Sequence, residues 1–314
     1  IQLSDKNKMH AINHPSLHPI VRKNLDFRLD EIPRFWFDND PFKSRLFDAL
    51  SLTFPDGERY FIQCVRLFQK QIQDPELASR VKDFIQQEAQ HGISHDKMNK
   101  ILINQGMPIE KYIQQVNQRF RHALKRYPNT FNIAITASCE HLTALMATTF
   151  FSEKTTMQGA HPFIRGLFAW HSIEEMEHRD VAYDVMVDVA KTSNLVRYTA
   201  LILVTIMMFA FTMQRTHGLL KQDGFTRIER VNMFKEGLKW LLGQKGILTL
   251  KKQDYLDWFK PDFHPSQHPI IQQYQVWVET LTTTQDPIAA GEAFWQAAHE
   301  DHQLEDHHLN KKLA

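Results

Sequence analysis

The chain has 314 residues, 43% of them hydrophobic and 23% charged, with a formal net charge of +1. That balance leaves no electrostatic footprint for nucleic acid. Two cysteines, Cys64 and Cys139, are too few for a disulfide framework and fit a reducing, cytosolic setting. With only 11 glycines and hardly any strand-like alternation, the expected fold class is all-α.

In chain order, residues 1–40 read as irregular, broken by His14-Pro15, His18-Pro19 and Ile32-Pro33, with an aromatic cluster at Phe35, Trp36 and Phe37. Residues 1–50 are expected to wrap the rest of the molecule. No charged stretch followed by an apolar run lies near Ile1, so no signal peptide is expected. Pro55-Asp56-Gly57 starts a helix expected to reach Gln73. Asp74-Pro75-Glu76 opens the next, with Asp74 as N-cap and Pro75 in the first turn, running to Gln105. Met107-Pro108-Ile109-Glu110 starts a connecting helix to Tyr127, Pro128 opens a helix ending near Glu153, and His161-Pro162 opens one more. Residues 51–192 thus read as one helical bundle. Residues 193–314 read as an apolar helix and a C-terminal helical extension packed on it.

Within that extension, Tyr198 to Met213 carries no charge and is bounded by Arg197 and Arg215. It is shorter than the ~20 apolar residues a spanning helix needs, so it reads first as a fully buried helix. The alternative is peripheral contact with a membrane. The C-terminal tail, with His299, His302, His307 and His308, reads as a solvated end able to scavenge metal weakly.

Chemistry enters with seven side chains on four of these helices. Glu88-Ala89-Gln90-His91 and Glu175-Met176-Glu177-His178 are two Glu-x-x-His motifs. Glu58 and Glu140 stand alone on two further helices, and His171 precedes Glu175 by four residues. Positions i, i+3, i+4 and i+7 share one helix face, so Glu88 with His91, and His171 with Glu175 and His178, can each meet one metal. One Glu-x-x-His among 36 acids and 17 histidines is what a solvated face gives by chance. Two of them, in phase with two more glutamates inside apolar helices, are not, because a carboxylate buried among Phe131, Ile133 and Leu142 is costly unless paired or metal-bound. Two hairpins, each giving two carboxylates and at least one imidazole, make a pseudo-twofold dinuclear site. Its mixed O and N donors, without thiolate, suit two Fe ions, with Mn as an alternative. His95, Glu174, Asp180 and Asp184 are candidates to orient the ligands from behind.

A Glu from each of two helices plus Glu-x-x-His from two others is the ligand set of ferritin-like di-iron carboxylate bundles. The expected core is therefore a ferritin-like four-helix bundle with additional helices. The order Glu, Glu-x-x-His, Glu, His-x-x-x-Glu-x-x-His further resembles the ferritin-like di-iron N-oxygenases that act on arylamines. That resemblance implies Glu58, Glu88, His91, Glu140, His171, Glu175 and His178 as ligands, with the four glutamates directly supporting catalysis. It also implies O2 as co-substrate, a small organic and even lipophilic substrate, and an external electron donor (a reductase or ferredoxin). Ferritin-like chains often pair through bundle faces, which makes a homodimer the expected assembly. His171-Ser172-Ile173-Glu174-Glu175-Met176-Glu177-His178-Arg179-Asp180 and the long apolar helix after it also resemble a bacterial family of predicted metal-dependent hydrolases, over about residues 10–285. The leading expectation is thus a di-iron oxygenase. The alternatives are a dinuclear hydrolase, in which the metals activate water, and a non-catalytic, membrane-associated metal-binding protein. The expected location is the cytoplasm, with membrane association as the alternative.

Overall fold

The computed structural model describes residues 16–298 apart from 153–155, 244, 245, 247, 250 and 272. Over these residues the chain is all-α. The helices are α1 (Pro41–Ser51), α2 (Phe54–Arg66), α3 (Pro75–Asn104), α4 (Glu110–Arg126), α5 (Asn129–Ser152), α6 (Pro162–His178), α7 (Val181–Asp184), α8 (Asn194–Gln222), α9 (Arg227–Leu242), α10 (Lys252–Asp257) and α11 (Tyr274–Thr284). Another helix follows over residues 287–298. The histidine-rich tail from His299 onward lies outside the described residues.

Local chemistry sets the boundaries that matter. Asp74 caps α3 by accepting from the Glu76 N–H, with Pro75 in the first turn. Gly106, at φ +83°, takes the left-handed position just beyond its end. His161 caps α6 ahead of Pro162. The helix expected to run to Gln73 ends at Arg66, followed by a 3-10 turn over Gln69–Gln71. Phe68 swings into the core there while Leu67 faces out, so the chain turns toward α3 earlier than the sequence pattern suggests.

Four helices close the bundle: α2 packs on α3, α5 on α6, α2 on α5, and α3 on α6. Helix α5 is apolar all round, as a helix at the centre of a bundle must be, and its Ile133, Ala134, Ala137 and Leu142 are buried. Residues 16–40 are irregular apart from a short 3-10 turn over Leu29–Glu31, and they lie over the bundle through Phe27, Ile32, Trp36 and Phe37.

The apolar helix is not fully buried. Within α8, 28% of the apolar window is covered, and Ile202 and Ile206 are 48% and 62% exposed. One side packs on α1 and α5 through Ala200, Leu201, Val204, Leu219 and Leu220. The other side is an apolar surface. The helix is long and apolar enough to cross a membrane by length and composition, but the packed side ties it to the bundle.

Candidate metal centre

All seven acid and imidazole side chains converge in the middle of the bundle. Glu58 comes from α2, Glu88 and His91 from α3, Glu140 from α5, and His171, Glu175 and His178 from α6, and every one is buried. Glu88, His91, Glu175 and His178 bring one donor atom each to within 4.8 Å of one another, and Glu58, His91 and His171 do the same. The two sets share His91. Glu140 joins from the other side, its Oε2 lying 3.2 Å from His178 Nε2. At the centre, Glu175 Oε1 is 2.9 Å from His171 Nε2, 3.5 Å from His178 Nε2 and 3.9 Å from His91 Nδ1.

Many of the donor atoms lack a hydrogen bond. Glu58 Oε2, both oxygens of Glu88, both of Glu140, His91 Nδ1 and His178 Nε2 are buried without a hydrogen bond. Gathering so many buried polar atoms with so few hydrogen bonds is costly for a protein interior, and bound cations would offset that cost. The set fits a metal for that reason.

The opposite ring edges are held. His178 Nδ1 lies 2.9 Å from Gln87 Oε1, while Gln87 Nε2 donates to Glu177 Oε2 at 2.8 Å. That donation fixes the amide orientation, so Oε1 must accept from His178 Nδ1, which turns Nε2 toward the glutamates. His91 Nε2 lies 3.1 Å from Glu174 Oε2. His171 Nδ1 lies 2.8 Å from His95 Nε2, and His95 Nδ1 is 2.8 Å from Ser51 Oγ. Each of the three imidazoles thus turns one backed nitrogen outward and the other inward to the glutamates, the arrangement of metal-bound histidines. Glu174 and Glu177 are gripped in turn by Arg22 at 3.1 and 2.7 Å, and the Ile20 N–H donates to Glu177. Tyr274 from α11 also donates to Glu177. Trp170, Phe84 and Phe54 pack edge-on against His91, His178 and His171 and keep water out.

Electrostatics follow from this crowding. Burial, with Glu175 as a like-charged neighbour, pushes Glu58 and Glu140 up to about 8. Burial and the Glu58 and Glu140 charges raise Glu88 further. Burial works against ionised Glu175 too, but His178 and His171 hold it well below the carboxylate range. Burial lowers His91, helped by His171 and His178. Without metal the cluster is therefore one ion pair among protonated acids.

His95 and Glu174 touch the rings of His171 and His91. Asp180 and Asp184 do not. Arg80 binds both, and His264 Nε2 is 2.8 Å from Asp184 Oδ1. The chain leaves α6 at Arg179 and turns them away from the centre. His141 lies off the face of Glu140, packed on Trp258. Sequence reasoning missed Gln87, Ser51 and Arg22. Gln87 sits one residue before a ligand, a position rotated by about 100° and carrying no signal of its own.

The relay through Gln87 yields an expectation. Gln87→Leu removes the acceptor behind His178, and metal affinity should fall about 10–100-fold. Chelator competition measures this; unchanged affinity would show that the relay does not tune the ligand.

A helical bundle with a buried, partner-starved cluster of four carboxylates and three imidazoles defines a candidate metalloprotein. The family model for predicted metal-dependent hydrolases matches residues 21–269, most of the sequence, and the chain belongs to that family. No curated protein and no solved structure matches it.

Proposed function

We propose that the chain is a metal-dependent hydrolase with a dinuclear centre, its ions held by Glu58, Glu88, His91, Glu140, His171, Glu175 and His178. The observation that carries this reading is the inward convergence of unpartnered oxygen and nitrogen atoms in a dry core, in a chain of a metal-dependent family. Four carboxylate charges match two divalent cations. When bound, such ions supply Lewis acidity and activate water at neutral pH.

The protein's own groups do the rest. Gln87, Glu174 and His95 fix the ring orientations. The Thr143 hydroxyl donates to Glu175 Oε2 and also lines the cavity beside the centre, so it meets both a ligand and an incoming substrate. Cys139 and Glu58 share that wall.

The donor set favours a second reading, a di-iron oxygenase. Mixed carboxylate and imidazole donors without thiolate suit Fe(II) or Mn(II), and they are the set of di-iron carboxylate bundles. That reading needs O2 and electrons from a separate reductase or ferredoxin. Metal content and turnover of protein reconstituted with Fe(II), Mn(II) or Zn(II) decide between them. Ester hydrolysis without O2, supported by Mn(II) or Zn(II), is the expected result. Turnover that requires Fe(II) and consumes O2 would replace hydrolysis with oxygenation.

A further inference from the structure

A cavity of about 530 Å³ lies between α2, α4, α5 and α8, within the ~300–1,000 Å³ of small-molecule pockets. Glu58 and Thr143 line it on the side of the metal centre, and Met207 and Phe211 of α8 line its apolar wall. Two arginines, Arg119 and Arg215, line it as well.

These arginines differ from the other buried ones. Arg22, Arg45, Arg80 and Arg165 each bind a carboxylate, and Arg179 and Arg197 donate to backbone carbonyls. Arg215 is buried and has one hydrogen bond, from Nη1 to Thr53 Oγ1 at 2.6 Å. Half-buried Arg119 has none among the described residues; its guanidinium stands 3.5 Å over the Phe211 ring, with Nη1 buried and unpartnered. Arg215 lies 6.0 Å from the same ring. The two cations therefore share one aromatic wall, and among the described residues no carboxylate is bonded to either. Burial, and then Arg119, pull Arg215 down to about 10. Desolvated like charges are unfavourable unless an anion enters between them, and guanidinium forks match a carboxylate or phosphate.

We propose that this cavity binds the substrate as an apolar molecule ending in one oxyanion, with the oxyanion on Arg119 and Arg215 and the apolar body reaching toward Glu58. Thr53, the partner of Arg215, precedes Glu58 by five residues along α2, about 7.5 Å of helical rise. The reacting position is then several bonds from the oxyanion, so short acids such as acetate cannot serve both ends. The substrate class rests on the metal-enzyme reading, but the binding site is tested without turnover.

Isothermal titration of metal-loaded and chelator-treated protein with dodecanoate, dodecyl phosphate and dodecanol provides the test. Either anion should bind at least tenfold tighter than the alcohol, and increasingly so at low salt. The tighter anion identifies the source as a free organic acid or a phosphate ester. Arg119→Met, at a half-buried position that leaves the core intact, and Arg215→Met should each erase the difference, with circular dichroism confirming the fold. Equal binding of alcohol and anions, or an anion preference that survives in folded Arg119→Met, would overturn the proposal. Failure of hydrolysis with anion binding intact would count against the hydrolase reading alone.

Discussion

Metal-free protein should lose stability as pH rises from about 4.5 to about 8, while metal-loaded protein should hold nearly constant. Burial raises Glu58 and Glu140 to about 8 in the folded chain, against about 4.3 for a free glutamate. Within that window the folded state keeps protons that the unfolded state releases, so unfolding becomes easier with each step in pH, and Glu88, raised further, carries the trend above it. Glu175, held ionised, works in the opposite sense. Its contribution is complete above the unfolded carboxylate pKa and lost only in stronger acid, and the opposing effect of His91 and His95, which burial holds neutral, ends near the free imidazole pKa of about 6.5, so the fall is steepest between about 6.5 and 8. The two raised groups together are worth on the order of 5 kcal/mol, allowing for their mutual influence. In a chain this size that is roughly 10 °C in Tm. Bound cations replace those protons and remove the dependence. Thermal melts of chelated and reconstituted protein from pH 5 to 9 measure both curves. A chelated protein whose Tm stays flat or climbs across the window would contradict a cluster built for cations.

Glu175→Gln is expected to be the most damaging conservative change. Its Oε1 is the atom that approaches all three imidazoles. The amide keeps the shape but removes the charge and can aim an N–H at nitrogens that themselves need a cation. Metal content should drop by at least one ion per chain, and turnover should fall about 10³-fold, equivalent to about 4 kcal/mol of lost stabilisation. Glu292→Gln is the control, because Glu292 pairs with Arg165 outside the centre. Its metal content should match wild type. Full metal occupancy in Glu175→Gln would remove this residue from the ligand set.

Helical spacing made the centre legible. Glu88 with His91, and His171 with Glu175 and His178, share faces because the helix turns by about 100° per residue, and the structure places those faces inward. His95 follows from the same spacing, i+4 from His91, whereas Glu174 is rotated by about 100° from Glu175 and is a candidate only for a hydrogen bond to an imidazole. Arg22 was not legible, because it arrives on a segment with no periodicity. Asp180 and Asp184, expected to orient the ligands from behind, are instead taken up by Arg80 and His264, because the chain leaves α6 after His178. The apolar run in α8 was misread because composition reports what a helix can bury, and whether neighbours cover both sides is decided by packing. Gln87 shows the same limit. Its role depends on Glu177 and His178 of another helix, a pairing that no local pattern records.

The grip of Ile20 and Arg22 on Glu174 and Glu177 has a consequence outside the bundle. Those two acids aim His91 directly and His178 through Gln87, so docking of the N-terminal segment and occupancy of the centre must favour each other equally, as linkage requires. An empty molecule then holds its leading segment less firmly than a loaded one. A protease that never reaches the core could still tell the two apart, and the protein's lifetime would follow its supply of metal.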